Sequence, residues 1–183
     1  MKLNNLIFTA LAGFSIILAG CQNNDENEQH YDNKLFISAS NFTKEILFKA
    51  GDTNVETGLS VAIAKPEEHD IKVTMSPAPE LLSTYKLAYY DETAVLLSEE
   101  HYSMPETSTT IKSGSIVSPE LPIEFINTGE LDIKTTYVLP VTIKSVEGIG
   151  VLQSAKTYYY VFRGASLINV VCNISRNLSL IHI

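Results

Sequence analysis

The sequence predicts an all-β fold, an antiparallel two-sheet sandwich with one short inserted helix. Three observations carry that reading. From Lys34 onward apolar and polar residues alternate with period two, as in a strand with one buried face. Gly, Pro, Asn and Asp clusters interrupt the alternation at short intervals. Only Glu80 to Tyr90 carries apolar residues at helical spacing.

The elements follow in order. Lys34 to Ala39 and Glu45 to Lys49 are short apolar runs, the second closed by Ala50-Gly51-Asp52. Leu59, Val61 and Ile63 alternate with small residues, which puts the large side chains on one face until Pro66 stops the strand. Ile71, Val73 and Met75 repeat the pattern, and Ser76-Pro77-Ala78-Pro79 breaks it. Leu81, Tyr85 and Tyr89 then recur three to four residues apart, and Pro79 suits a helix start. Strands resume at Thr93 to Leu97, with Tyr102 in the loop region that follows, and again at Thr109 to Lys112 before the turn Ser113-Gly114-Ser115. In Leu121 to Ile126, Pro122 implies an edge strand or a start after the proline. Asn127-Thr128-Gly129 is a turn. Tyr137 to Lys144 is the clearest strand, with Thr157 to Arg163 as its hairpin partner. Seven or eight such strands over about 130 residues suit a two-sheet sandwich, and the short connections imply antiparallel pairing.

The ends carry a different message. Leu6 to Leu18 is an apolar run preceded by Lys2 and followed by Leu18-Ala19-Gly20-Cys21. The run is too short for a helix across about 30 Å of hydrocarbon, which takes roughly 20 residues. A short apolar core ending in small residues is a cleavable signal. The cysteine after the small pair makes residues 1–20 a lipoprotein signal peptide and Cys21 the lipidated residue. More than one acyl chain gives stable attachment, since each buried CH₂ contributes about 0.8 kcal/mol. Residues 21–33 form a lipidated tether, because Gln22 to Gln29 has no apolar residue and three carboxylates. Acidic residues just after the lipid cysteine resemble the surface-export signal of Bacteroidota-type lipoproteins. The expected location is the outer membrane, facing the cell surface. Residues 34–163 are the sandwich domain. Residues 164–183 form a C-terminal extension in which Leu178 to Ile183 is either a final strand or the link to a missing domain, the truncated reading being favoured.

Charge and cysteine usage narrow the classes. The formal charge is −8 and no basic cluster occurs, which argues against nucleic acid and against anionic lipid as a second anchor. With Cys21 lipidated, Cys172 has no internal partner for a disulfide. Catalytic constellations are thin. The adjacent carboxylates Glu67-Glu68, Asp91-Glu92 and Glu99-Glu100 do not give two carboxyls facing one glycosidic bond across about 5–9 Å. His30, His69, His101 and His182 show no ligand spacing. No catalytic residue, metal ligand or cofactor is therefore expected, and the chain reads as a non-enzyme. Tyrosines are the better lead. Tyr158, Tyr159 and Tyr160 alternate on one strand, so one side packs and the other is expected to be exposed. Tyr158 and Tyr160, which share a face, are the candidate ligand-binding pair, because exposed tyrosine rings can stack on sugars. The competing reading makes them core and edge tyrosines.

Certain runs carry a likeness. Tyr89-Tyr90-Asp91-Glu92 leads to Ala94 through Tyr102, then Thr110-Ile111-Lys112-Ser113-Gly114-Ser115, Tyr137-Val138-Leu139-Pro140-Val141-Thr142-Ile143 and Tyr158-Tyr159-Tyr160-Val161. From Lys34 to Arg163 this order resembles an uncharacterised β-sandwich domain near the N-terminus of Bacteroidota-type surface lipoproteins. The resemblance implies an immunoglobulin-like sandwich in a glycan-related setting, often ahead of a lectin-like or endoglycosidase module. The family has no agreed catalytic residues to carry over. Three functions follow as expectations. The first is a surface module that binds glycan or positions an outer-membrane uptake partner. The others are a fimbrial or adhesive subunit and the non-catalytic front of a truncated glycosidase.

Overall fold

The computed structural model describes residues 32–165. Cys21, the tether up to residue 31, Cys172 and the 166–183 stretch lie outside the described residues. Twelve strands and one α-helix are described. One sheet has six strands, in the order β2 (Thr43–Phe48), β12 (Thr157–Gly164), β10 (Tyr137–Val146), β5 (Ile71–Pro77), β8 (Ser108–Ile111), with β6 (Val95–Leu96) also on β10. The facing layer is built from two three-stranded pieces. These are β3 (Val55–Leu59), β9 (Leu121–Phe125) and β7 (Tyr102–Ser103), and β11 (Gly150–Val151), β1 (Lys34–Ile37) and β4 (Val61–Ala62).

Period-two burial generates the core. Leu59, Val61 and Ile63 are all buried, and so are Ile71, Val73 and Met75. They meet Leu121, Ile123 and Phe125 of β9 and Tyr158, Tyr160 and Phe162 of β12 in one cluster. The expected hairpin pairs in register from Tyr137↔Phe162 to Thr142↔Thr157. The ladder between β10 and β5 shifts by one residue between Ile143 and Ser145, which leaves Lys144 as a bulge.

Leu59 and Val61 do not share one strand, since Leu59 ends β3 and Val61 opens β4 in the other piece, and Tyr102 opens β7 rather than lying in a loop. Two further expectations change. Antiparallel pairing prevails, but β2 runs parallel to β12, β6 parallel to β10 and β1 parallel to β11. Short connections govern only strands adjacent in sequence, and these pairs are distant in the chain. The second change concerns Pro122, which lies inside a central strand, opposite Gly58 of β3. The Ile126 N–H donates to the His101 carbonyl, so the even-numbered residues of β9 aim their backbone groups toward β7. At Pro122 β7 has already ended, because its pairing covers only Phe125 and Glu124. No ladder bond is lost there. Pro140 is accommodated similarly: its carbonyl accepts the Ala78 N–H at 2.9 Å, between the stretches of β10 that pair with β6 and with β5.

The inserted helix, α1 (Leu82–Tyr89), follows a 3₁₀ turn over Pro79–Leu81. It lies on the outer face of the large sheet. Tyr85 is buried there with Ala94, Val138, Tyr159 and Val161, and Leu81 and Leu82 pack against them. At roughly 25 cal/mol per Å² of apolar surface removed from water, burial of this face is what holds so short a helix in place.

Candidate functional site

Tyr158 and Tyr160 do not form an exposed pair. They are 8% and 0% exposed, and both belong to the core between the sheets. Their rings meet edge to face at 5.1 Å, and Tyr160 meets Phe125 at 5.1 Å. Tyr159 points the other way and is covered by α1, at 7% exposure. β12 is therefore buried on both faces. The signal was the unbroken run Tyr158 to Phe162, which marks a strand covered on both sides.

The Tyr160 hydroxyl is shielded from solvent and has no partner in hydrogen-bonding geometry among the described residues. Burial pushes this phenol well above the usual tyrosine range, with the nearby Thr57 hydroxyl acting weakly in the opposite direction. Thr57 itself accepts a hydrogen bond from Lys44 Nζ at 2.6 Å. An unpaired buried hydroxyl costs about 1–3 kcal/mol. Tyr160→Phe is therefore expected to unfold at the same or higher denaturant concentration, by up to about 1 kcal/mol of added stability. A clear loss of stability in equilibrium unfolding would show that the hydroxyl is satisfied.

The exposed aromatic surface lies instead at the end of α1. Tyr90 is 93% exposed and Leu87 81%. Tyr89 is 41% exposed, with its ring stacked on Tyr85 at 4.8 Å and edge-on to Tyr159 at 6.0 Å. This backing fixes the Tyr89 ring. Tyr90 ends the helix in the left-handed conformation, with φ 54° and ψ 33°. The Asp91 N–H returns to the Lys86 carbonyl at 3.2 Å, which closes the helix end. Glycine usually fills that position, and a side chain there costs about 1–2 kcal/mol. A helical stripe of Leu81, Tyr85 and Tyr89 is visible in the sequence, but nothing in it marks Tyr90 as left-handed.

Charged groups border the aromatics. Arg163 Nε lies 3.5 Å from Glu45 Oε1, and its Nη2 lies 3.7 Å from Asp91 Oδ2. Thr93 Oγ1 donates to Asp91 Oδ1 at 3.2 Å. Burial raises the Tyr85 phenol pKa, the Asp91 charge adds to this, and Arg163 pulls it back. Thr43, Glu45, Tyr85, Tyr89 and Arg163 surround a cleft of about 170 Å³. A second cleft, of about 300 Å³, lies among Phe42, Thr84, Tyr89, Lys156 and Tyr159.

A larger groove, about 610 Å³, crosses the outer face of β3 and β9. It is lined by Glu56, Glu120, Glu124 and prolines and contains no aromatic ring, so volume and recognition chemistry fall in different places. Among the described residues no group of three or more His, Cys, Asp or Glu side chains is placed to hold a metal ion. Glu67-Glu68 and Asp91-Glu92 sit in loops or turns, and Glu99-Glu100 in a 3₁₀ helix over Glu99–His101.

No curated protein matches the sequence. Solved structures share the fold. A Bacteroides ovatus protein proposed to bind carbohydrate superposes with TM-score 0.63 at 18% identity, over 71% of this chain and 36% of its own. EndoBT-3987 of Bacteroides thetaiotaomicron, solved with a Man5GlcNAc product, gives 0.59 at 19% identity, over 71% of this chain and 30% of its own. A two-domain Bacteroides fragilis protein of unknown function gives 0.54 at 12% identity, over 79% and 51%. The chain thus spans about a third of the first two and half of the third. At such identities the likeness establishes the fold. Residues 31–150 match the "-like, N-terminal domain" family. That match covers well over half of the sequence, and the chain belongs to this family of N-terminal domains.

Proposed function

We propose that this chain is a non-catalytic module of a lipid-anchored surface protein, attached through Cys21, that binds glycan or positions a partner in a glycan-uptake system. One observation carries the glycan reading. Tyr90 is almost fully exposed in a left-handed conformation that disfavours it, beside a Tyr89 ring fixed by Tyr85 and Tyr159. A solvated ring held at a conformational cost is explained by recognition, and rigid tyrosines present both a flat apolar face and a hydroxyl. The structural relatives support the same setting, one being proposed to bind carbohydrate and another having been solved with a glycan product. The lipid anchor rests on Leu18-Ala19-Gly20-Cys21, and surface exposure on the acidic tether.

The test has two arms. A glycan-array screen of the chain from Gln22 onward is expected to give binding that falls in a folded Tyr89→Ala and Tyr90→Ala double variant. Two aromatic contacts at about 0.5–1.5 kcal/mol each predict a loss of about fivefold to 150-fold. Fatty-acid labelling in the cell is expected for the whole chain and absent from Cys21→Ser. Binding untouched by the tyrosine substitutions would remove the glycan site, and labelling that survives in Cys21→Ser would remove the anchor.

A further inference from the structure

Tyr89 lines two clefts at once. On one side lie Thr43, Glu45 and Arg163, and on the other Phe42, Thr84 and Lys156. One face of its ring is occupied by Tyr85, and Tyr159 meets it in a T-shaped contact at 6.0 Å, so the ring stands as a fixed partition between two openings. The smaller opening, about 170 Å³, is the polar one, and the larger, about 300 Å³, has Phe42 and Tyr159 in its wall.

The charges along this face balance. Glu45 and Asp91 stand against Arg163 and Lys156. Arg163 is already engaged by two carboxylates, so an anionic ligand would have to displace them. Yet both contacts, at 3.5 and 3.7 Å, are longer than the 2.7–2.9 Å or so of a tight charge-assisted hydrogen bond. The guanidinium retains N–H groups to donate and the carboxylates retain lone pairs to accept. Neighbouring sugar hydroxyls, each both donor and acceptor, fit between such groups without introducing charge.

We infer that this face takes a neutral oligosaccharide laid across Tyr89, with one ring in the Thr43–Glu45–Arg163 cleft and the next in the Phe42–Thr84–Lys156 cleft. The inference rests on the glycan-binding reading and deepens it: the recognised unit is at least a disaccharide and carries no charge.

The test is calorimetric titration of the whole chain in detergent micelles. The probes are mono-, di- and trisaccharides of mannose, glucose, galactose and xylose, with galacturonic acid oligomers as the charged counterpart. For a sugar that binds, affinity is expected to rise about tenfold or more from mono- to disaccharide, the equivalent of about 1.4 kcal/mol. The uronic acid oligomers are expected to bind at least about tenfold more weakly than their neutral equivalents. Glu45→Gln and Tyr89→Ala, checked for folding by amide NMR spectra, should each erase most of the disaccharide gain. A monosaccharide that binds as tightly as its disaccharide would overturn the inference and leave the glycan reading standing. So would tight binding of the uronic acids, or Glu45→Gln and Tyr89→Ala variants with unchanged affinities. No binding to any of these sugars would overturn both.

Discussion

Phe125→Ala is expected to cost about 3–5 kcal/mol, the range for removing a fully buried phenylalanine from a core. Phe125 is 0% exposed. It projects from β9 to meet Tyr160 at 5.1 Å and Phe162 at 4.6 Å, both edge to face, and so joins the small sheet to the large one. The cavity left by its truncation would be bounded by two other rings and by the β3–β9 ladder, none of which can collapse into it without breaking strand pairing. Domains of this size are stable by only about 5–15 kcal/mol, so the variant would lie close to unfolding. Phe125→Leu, which keeps most of the volume, should cost about 1.5 kcal/mol or less. Guanidinium titration of the three proteins measures both differences. Equal midpoints for Phe125→Ala and Phe125→Leu would mean that the inter-sheet ring cluster does not hold the layers together.

Much of this architecture was legible because one-sided burial writes period two into the chain. Ile71, Val73 and Met75 read as one face and are buried as one face within β5, and the hairpin of β10 and β12 is legible without its register. Two-sided burial erases that signal. Tyr158 to Phe162 has no polar position to mark an outside, so the sequence invites an exposed face at Tyr158 and Tyr160, which pack between the sheets, while α1 covers Tyr159 and Val161 on the other side. Nothing marks β3 before Leu59, because Glu56, Thr57 and Gly58 show no apolar alternation. Its position is set by pairing with β9, more than sixty residues away. The parallel pairing of β2 with β12 is likewise a long-range result, which local turn chemistry does not encode.

The candidate site was legible in composition but not in place. Abundant tyrosine pointed to ring stacking, and the helical spacing of Leu81, Tyr85 and Tyr89 was read from the residues. Which tyrosines face water depends on the helix length. α1 ends at Tyr89, so Tyr85 is the last ring it buries, Tyr89 touches the sheet at Tyr159 but stays part-exposed, and Tyr90 points into solvent. Arg163 joins them because β12 continues past the core and meets Glu45 of the parallel neighbour β2, where Glu45 pairs with Val161 two residues earlier.

Gly129→Ala should be the most damaging single methyl addition at a loop, at about 3 kcal/mol, the upper end of overpacking costs. Asn127-Thr128-Gly129 reads as a turn, and its left-handed residue is Asn127, with φ 51°. Gly129 is needed for a different reason. A Cβ there would sit 2.4 Å from the Asp52 nitrogen, 2.6 Å from the Gly51 nitrogen and 2.7 Å from the Asp52 carbonyl oxygen. All three are backbone atoms, with no side chain that could swing aside. Opening that gap also strains the latch between the two loops. The Gly129 N–H donates to the Asp52 carbonyl at 3.1 Å, and the Thr128 hydroxyl and N–H donate to the Thr53 carbonyl at 3.0 and 3.3 Å. Each such bond contributes about 0.5–1.5 kcal/mol. Gly114 supplies the contrast: its φ is +79°, but a Cβ would meet nothing within 4 Å. Gly114→Ala should therefore cost only the left-handed penalty, about 1–2 kcal/mol. Denaturant unfolding of the two variants separates the two uses of glycine. Should Gly129→Ala prove no more destabilising than Gly114→Ala, the close approach of these loops is not what fixes the residue.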